Sequence, residues 1–326
     1  MNAKERMPMR NVIIGADGGG TKTNLVALDA ATGRKVATAA TGSINVYFAG
    51  MEEAVANMKA ALAALKLQED DRILALAIGD PAMDDSSPED GLAFRNRVKA
   101  LLPAGALCLS KSDVFMALYA FTGGMPGALM VAGTGSMGIG LKNTYCHNSF
   151  QPPLTVGGWG EPTTDPGSGN DIAVRGICAA MNAFDGIGPD TALCRAVQDF
   201  FGASQPRGLV GILNGEDMTR SKVAAFSREV ARCADAGDPV SMEILQEAGL
   251  VLGKYACSLL RQIGAAVPVG AYGSVLIHNG CVRRVFTETI HKEFPQAQVS
   301  IPDTPPEYGA ARFAAHALGI RWEEEK

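Results

Sequence analysis

The residues with the clearest chemical meaning lie in a glycine-rich turn near the start of the chain. An apolar segment, Val12-Ile13-Ile14, leads into Asp17-Gly18-Gly19-Gly20-Thr21-Lys22-Thr23. Glycines let a backbone approach a phosphate with its N–H groups pointing at it, and a nearby carboxylate can hold a metal-bound water. The spacing fits neither a Walker A loop, because Thr21 precedes Lys22, nor a dinucleotide-binding fingerprint. For this segment alone, a purely structural tight turn remains an equal alternative.

A second turn of the same kind follows later in the sequence. The apolar segment 127–132 breaks at Gly133-Thr134-Gly135-Ser136 and resumes as the apolar segment 137–141. Two strand–turn–strand units, each with a Thr among small residues, favour two related subdomains that face one phosphate site. In this interpretation Thr21 and Thr134 donate hydroxyls to phosphate oxygens. Lys22 either adds positive charge or is an ordinary exposed side chain.

Asp113 is a third candidate. It follows a predicted strand at 107–109 and begins a predicted helix at 114–121. Asp is a good helix N-cap, and a carboxylate kept ionised at a helix N-terminus can also accept a proton from a substrate hydroxyl. The residues alone favour the cap, and the two roles are compatible.

The elements that position these residues repeat in the two parts of the chain, which predicts a mixed α/β fold of two domains. The predicted domains are 1–117 and 118–326, and the helix near 308–318 is left open to pack back on the first. In the first part we expect strands at 12–14, 24–29, 35–38, 73–78 and 107–109, helices at 51–65, 94–102 and 114–121, and a polar loop at 80–90. In the second part we expect the hairpin 127–141, helices at 171–181, 190–201, 220–235, 239–263, 282–294 and 308–318, and strands at 267–272 and 298–301.

The bulk composition excludes several classes of protein. The 326 residues carry a formal net charge of −5, which argues against non-specific nucleic-acid binding. The sequence contains no apolar run of the ~18–20 residues that a membrane span needs. The seven cysteines are scattered without a C-x-x-C pair, and the four histidines lack ligand spacing. We therefore expect a cytoplasmic protein with reduced thiols and no structural zinc, whose partners are neither nucleic acid nor membrane.

In order along the chain, these motifs resemble the acetate and sugar kinase, Hsp70 and actin superfamily, and more narrowly the N-acetylglucosamine kinase and BadF/BadG group. The resemblance covers nearly the whole chain and implies two ribonuclease H-like domains of the actin and hexokinase type that flank an ATP cleft. The matching segments are Asp17 to Thr23, Gly133 to Ser136, Gly157-Gly158-Trp159-Gly160, Asp165-Pro166-Gly167-Ser168-Gly169, Gly273-Ser274-Val275, the helix from Asp238 to Leu260, and Gly309-Ala310-Ala311.

The resemblance also implies site roles. Asp113 would be the general base and would contact the sugar, and Asp17 would bind Mg²⁺ through water. ATP would be held by Asp17, Gly18, Gly19, Gly20, Thr21 and Lys22, by Gly133, Thr134, Gly135 and Ser136, and on its adenosine side by Gly273 and Ser274. The sugar would also contact Asn45, Gly157, Gly158, Trp159 and Asp165, and Trp159 would either stack on it or fill core.

Two departures from the family pattern lie on the expected acceptor side. Pro166 stands where such kinases have Glu, and Gly79-Asp80-Pro81 replaces a Gly- or Ser-rich turn. They bear on the identity of the sugar. The expected function is ATP-dependent phosphorylation of an amino sugar, with the 6-hydroxyl of N-acetylglucosamine leading and glucosamine or another hexose next.

Two other functions stay open. One is a BadF-type ATPase that activates a CoA-thioester reductase or dehydratase and holds an iron–sulfur cluster between two subunits. The other is a sugar sensor without enzyme activity. A homodimer is left open as well.

Overall fold

The computed structural model of the chain describes residues 10–19, 21–80, 88–147, 152–160 and 165–322. The chain forms two compact units. The first consists of Met1–Met125, Asn143–Pro152 and Pro302–Lys326, and the second of Pro126–Lys142 and Pro153–Ile301. The boundary drawn at 117 from the sequence falls inside a helix, and the first unit continues to Met125.

The described part of the chain forms strands and helices, and runs of consecutive strands open each of the two halves. The strands are β1 (Asn11–Gly18), β2 (Lys22–Asp29), β3 (Lys35–Gly42), β4 (Arg72–Gly79), β5 (Leu107–Lys111), β6 (Gly127–Ala132), β7 (Ser136–Leu141), β8 (Leu154–Gly157), β9 (Val269–Tyr272) and β10 (Val299–Ser300). The helices are α1 (Val46–Ala49), α2 (Met51–Ala64), α3 (Pro88–Lys99), α4 (Asp113–Thr122), α5 (Gly169–Phe184), α6 (Leu193–Phe201), α7 (Leu209–Leu213), α8 (Arg220–Ala225), α9 (Ser227–Asp235), α10 (Pro239–Ile263), α11 (Ser274–His278), α12 (Gly280–Glu293) and α13 (Pro306–Ala317), with a short 3₁₀ turn at Pro206–Gly208.

The sheet of the first unit has the strand order β3-β2-β1-β4-β5. Its first three strands are antiparallel neighbours, and β4 and β5 run parallel to β1. The core on one side of this sheet is made by apolar residues of the strands and of α2, such as Ile14, Leu76 and Met58. Because β4 is nearly continuous in apolar residues, it suits a central position that is covered on both faces.

The sheet of the second unit, β10-β9-β6-β7-β8, repeats this arrangement strand for strand. The antiparallel pairs β6–β7 and β7–β8 correspond to β1–β2 and β2–β3, and β9 and β10 run parallel to β6. The long helix α10 contributes a large part of the core, with Leu252, Ala256 and Leu259 fully buried. The predicted mixed α/β fold with two related halves is thereby confirmed.

The structure corrects the sequence predictions at several elements. Strand β8 was not predicted, because its four residues pair with β7 across a connection that local pattern does not reveal. The predicted helix 220–235 is two helices that meet at Phe226, whose buried ring packs on Phe200 and Phe201. The predicted loop 80–90 ends too late, since α3 begins at Pro88. Helix α1 was also missed, and α6 begins at Leu193 rather than near 190.

Helix α13 is part of the first unit, where it packs against β1 and α4. Helix α13 comes so close to each of these two elements that each contact requires a glycine. A Cβ at Gly15 of β1 would overlap the carbonyl oxygen of Glu307, and a Cβ at Gly309 of α13 would overlap the carbonyl oxygen of Met116. The last helix therefore lies directly on the strand that leads to Asp17.

None of the helices in the described part of the chain combines the length and the apolar character that crossing a lipid bilayer requires.

We expect Gly15→Ala to lower the free energy of unfolding by about 1–3 kcal/mol or more, because the added methyl group overlaps backbone rather than a flexible side chain. Calorimetric unfolding measures the effect. The control is Gly211→Ala in α7, where a Cβ meets no atom within 4 Å and a neutral or slightly stabilising change is expected. If Gly15→Ala unfolds like the wild type, α13 does not press on β1 at this point.

Candidate active site

The first glycine turn joins β1 to β2 in the predicted strand–turn–strand unit. Asp17 pairs with Asn24 and Gly18 with Thr23 in the antiparallel ladder. The N–H of Gly19 donates to the carbonyl oxygen of Lys22 at 2.9 Å, so this N–H serves the turn itself. The side chains of Thr21 and Lys22 are exposed, and Gly20 lies outside the described residues.

Close packing brings Asp17 and Asp113 into one neighbourhood. A Cβ at Gly18 would lie 2.5 Å from Ile44 and 2.8 Å from the carbonyl oxygen of Gly79. A Cβ at Gly79 would in turn lie 3.3 Å from the Cα of Asp113. The ends of β1 and β4 and the start of α4 thus meet at the carboxyl ends of parallel strands, where α/β sheets place their ligands.

Asp113 is not the N-cap of its helix. The N-cap of α4 is Ser112, whose Oγ accepts a hydrogen bond from the N–H of Phe115 at 3.3 Å. Asp113 is the first helical residue, and its Oδ1 accepts from the N–H of Val114 at 2.9 Å. The capping interpretation of Asp113 is therefore wrong, and the half-buried carboxylate stands at the positive end of the helix dipole.

Asp17 lies in a strongly perturbed electrostatic environment. Burial, together with repulsion from Asp113 and Glu307, raises the pKa of its carboxyl to about 7, and Lys22 opposes the shift. Glu307 belongs to the first turn of α13. Sequence reasoning missed Glu307, because the open possibility that the helix near 308–318 packs back on the first domain does not single out this carboxylate. The three carboxylates make this end of the sheet attractive to a cation.

Within the described ranges, no group of three His, Cys, Asp or Glu side chains is placed to hold a metal ion. Mg²⁺ commonly keeps several waters and takes one or two carboxylates together with substrate phosphates. A water-mediated contact from Asp17 would need no such group, so the metal role of Asp17 stays a prediction.

Asn45 is 5% exposed and acts as the N-cap of α1. Its Oδ1 accepts from the N–H of Tyr47 at 2.9 Å, and its own N–H donates to Ser43 Oγ at 3.1 Å. The amide group is therefore held in one orientation. Ser43 also donates to the carbonyl oxygen of Gly19 at 2.9 Å, which links this segment to the first glycine turn.

The second glycine turn, between β6 and β7, is tied to the start of α5. The N–H of Gly133 donates to the carbonyl oxygen of Gly135 at 2.9 Å, and the N–H of Gly169 donates to the carbonyl oxygen of Gly133 at 2.7 Å. The hydroxyl of Ser136 is buried and donates to the carbonyl oxygen of Pro166 at 2.8 Å. Among the predicted hydroxyl groups of this turn, the exposed one is that of Thr134.

A cavity of about 440 Å³ in the second unit brings together three predicted nucleotide-binding residues, Gly133, Thr134 and Ser274. A Cβ at Gly273, where φ is +86°, would overlap the carbonyl oxygen of Ala132, so this glycine is required where α11 starts against the end of β6. Gly169 and Val275, which belong to segments matched in the sequence analysis, also line the cavity. Residues that sequence reasoning missed complete the lining: Ile172, Ser221, Ala224, Ala225, Ser227, Arg228, Ala231, Arg232, Asp235, His278 and Asn279.

Asp165 lies beside the second glycine turn and is paired. Its side chain is 6% exposed, and its Oδ2 accepts from Nη2 of Arg220 at 2.5 Å. A Cβ at Gly135 would lie 2.5 Å from that same Oδ2. Its Oδ1 is buried and has no hydrogen-bond partner among the described residues. Sequence reasoning missed Arg220, since 55 positions separate it from Asp165.

Trp159 is 81% exposed, so the alternative that it fills core is wrong. It lies between glycines that all have positive φ: +75° at Gly157, +71° at Gly158 and +70° at Gly160. At Gly157 the ring of Tyr255 occupies the space that a Cβ would need. The glycines therefore fix a backbone path that presents the indole to solvent.

The predicted site residues divide between the two units. Asp17 to Lys22, Asn45 and Asp113 belong to the first unit, and the second holds Gly133 to Ser136, Gly157 to Trp159, Asp165, Gly273 and Ser274.

Comparison with known proteins identifies relatives along most of the chain. The model of the BadF/BadG/BcrA/BcrD ATPase family matches residues 14–314. A protein from Clostridium acetobutylicum named N-acetylmuramic acid/N-acetylglucosamine kinase is 25% identical over 312 residues, which cover 93% of this chain and 97% of the relative. An N-acetyl-D-glucosamine kinase from Dictyostelium discoideum is 24% identical over 322 residues, 94% of this chain and 99% of the relative.

Solved structures show the same architecture. A crystal structure from Chromobacterium violaceum, provisionally described as an N-acetylglucosamine kinase, superposes with a TM-score of 0.69 at 25% identity. The match covers 94% of this chain and all of the other. The predicted family and the predicted two-domain fold class are both confirmed.

The raised pKa of Asp17 predicts how stability depends on pH. The folded protein holds a proton on Asp17 that the unfolded chain releases above about pH 4, so this group's contribution to stability is lost as pH rises through about 7. The free energy of unfolding of Asp17→Asn should therefore exceed that of the wild type by on the order of 1–3 kcal/mol at pH 8. At pH 4 the two free energies should be nearly equal. Denaturant titration at both pH values measures the difference. Equal differences at the two pH values in metal-free buffer would show that Asp17 ionises normally.

Proposed function

The chain belongs to the BadF/BadG/BcrA/BcrD ATPase family, and we propose that it is an ATP-dependent phosphotransferase acting on a hydroxyl of an amino sugar. The observation that carries this proposal is the placement of Asp113 near Asp17 at the ends of β1 and β4, with helix capping assigned to Ser112 instead. A carboxylate next to the first glycine turn can accept the proton of an alcohol while phosphate is transferred to that alcohol. The relatives named as N-acetylglucosamine kinases support the same class of acceptor.

The cavity at the second glycine turn fits the nucleotide. Its volume of about 440 Å³ is in the range of small-molecule sites, and Gly133, Thr134 and Ser274 line it. We propose that Gly273 and Ser274 approach the adenosine and that the phosphates extend toward Thr134 and Gly135. In the first unit, Asp17, Gly18, Gly19, Gly20, Thr21 and Lys22 are proposed to contact the β- and γ-phosphates.

We propose that Asp17 binds Mg²⁺ through water at the first turn. Asp17, Asp113 and Glu307 repel one another there, and a bound cation would reduce that repulsion. When bound, the ion neutralises charge on the phosphates of the nucleotide. Lys22, exposed in the same turn, adds positive charge on that side.

In the proposed mechanism Asp113 accepts the proton of the acceptor hydroxyl. The hydroxyl oxygen forms a bond to the γ-phosphorus, the bond from that phosphorus to the bridging oxygen breaks, and ADP leaves with the electron pair. Asp113 lies in the first turn of α4, where the helix dipole favours a negative charge. The rest of the chain's contribution is to orient the reactants and exclude water.

The proposed reaction is phosphorylation of N-acetylglucosamine at its 6-hydroxyl, with glucosamine or another hexose as the alternative acceptor. We propose that the sugar contacts Asn45, whose side-chain oxygen caps α1 while its amide nitrogen can donate to a ligand. The sugar is also proposed to contact Gly157, Gly158 and the exposed Trp159 that follows them. Asp165 is proposed to contact the sugar through Oδ1, which has no hydrogen-bond partner among the described residues. The free thiols of all seven cysteines suit the proposed cytoplasmic location.

A coupled assay of the purified protein with Mg²⁺ and ATP against a panel of hexoses and amino sugars tests the proposal. We expect the highest kcat/KM with N-acetylglucosamine, and phosphorus-coupled NMR of the product should place the phosphate on carbon 6. Iron bound after anaerobic purification, with ATP hydrolysis independent of every sugar, would instead identify an ATPase activator of the family. Saturable sugar binding without turnover would indicate a sensor.

Asp113→Asn should lower sugar phosphorylation by about 10²-fold or more while ADP affinity stays near that of the wild type, because the amide cannot accept the proton. Initial rates and calorimetric titration measure the two effects. Ser112→Ala is the matched control. It should cost about 0.5–2 kcal/mol of stability through loss of the cap and leave the rate within a few-fold of normal. A fully active Asp113→Asn enzyme would remove Asp113 from the mechanism.

A further inference from the structure

The second glycine turn has a positively charged neighbour that the proposed site so far does not use. Nη2 of Arg220 lies 3.6 Å from the position that a Cβ at Gly135 would occupy. Arg220 is the first residue of α8, and the next residue, Ser221, lines the same cavity as Gly133 and Thr134. The guanidinium is therefore placed at the third residue of the turn, at the border of the cavity.

Asp165 fixes the orientation of this guanidinium. The carboxylate is buried, and its Oδ2 accepts from Arg220 at 2.5 Å, while the Arg220 side chain stays 26% exposed. A buried carboxylate is unfavourable unless it is paired, so the pair is constrained from the Asp165 side. Part of the Arg220 side chain still meets solvent, where an anion could approach.

The turn itself supplies further donors beside Arg220. The described hydrogen bonds use the N–H of Gly133, but none of them uses the N–H of Thr134 or Gly135. Successive N–H groups at a tight turn form a concave anion-binding site, and a planar guanidinium adds charge-assisted hydrogen bonds to phosphate. Gly133, Thr134, Gly135 and Ser136 carry no charge. Arg220 places a guanidinium directly beside Gly135, and Arg228 and Arg232 line the rest of the same cavity.

We propose that Arg220 binds a phosphate group of the nucleotide at the second glycine turn and that Asp165 is the positioning residue that holds it there. The inference rests on the proposed function, because the ligand is the polyphosphate of ATP or ADP. It also explains why the carboxylate expected on the sugar lies against Gly135.

Calorimetric titration with ADP and, separately, with adenosine tests the proposal. Arg220→Met leaves Asp165 buried without its partner and risks misfolding, so the main variant is the double substitution Asp165→Asn with Arg220→Gln, which replaces the ion pair by two neutral amides. We expect ADP affinity to fall about 10- to 100-fold and adenosine affinity to stay within about twofold of the wild type. Arg220→Lys, which keeps the charge but not the planar fork, should fall between the two.

The control for loss of one positive charge is Arg195→Met, since that side chain is 91% exposed on α6 and pairs with Asp199 within its own helix. It should leave both affinities unchanged. A folded double variant that binds ADP normally overturns the role of Arg220 while the proposed function stands. An equal loss for ADP and adenosine also overturns it, because a general distortion of the cavity would then be the cause. A wild-type protein that fails to bind ADP overturns both proposals.

Discussion

The close approach of α13 to β1 at Gly15 is the constraint on which the charged centre of the first unit depends. Only a residue without a Cβ lets the backbone at Glu307 lie on the strand two residues before Asp17. That contact brings a carboxylate from near the end of the chain into the field of Asp17 and Asp113. Three acidic groups in a half-buried place destabilise one another, and groups perturbed in this way cluster at functional sites.

The two units use one strand pattern for two electrostatic purposes. Both join their first two strands by a glycine turn, and both place parallel strands next to the first strand. In the first unit the carboxylates of Asp113 and Glu307 lie near Asp17 at the turn. In the second unit a buried carboxylate holds an arginine against the turn, which suits a phosphate. The two units thus share a strand order but differ in the charged side chains beside their turns.

The sequence predicted what local pattern and turn chemistry determine. Both glycine turns, the strands on each side of them and the long helix α10 with Asp238 as its N-cap follow from residues close together in the chain. Contacts between distant segments could not be predicted. The docking of α13 brings Glu307 into the electrostatic field of Asp17, Arg220 reaches Asp165 from α8, and β8 forms because β7 offers it a partner. Ser112 rather than Asp113 caps α4. Sequence patterns do not locate a helix start to within one residue, so they could not distinguish the two.

The exposure of Trp159 gives the protein an optical property. The chain has two tryptophans. The indole of Trp322 is held in the first unit, where its Nε1 donates to the carbonyl oxygen of Ala30 at 3.0 Å and its ring packs on Gly33. Trp159 stands in water on its glycine frame, so its emission lies further to the red and is open to collisional quenchers such as iodide. A molecule that covers Trp159 would shift that emission to the blue and shield it from iodide. Tryptophan fluorescence would then show when a ligand occupies the Gly157–Gly160 loop.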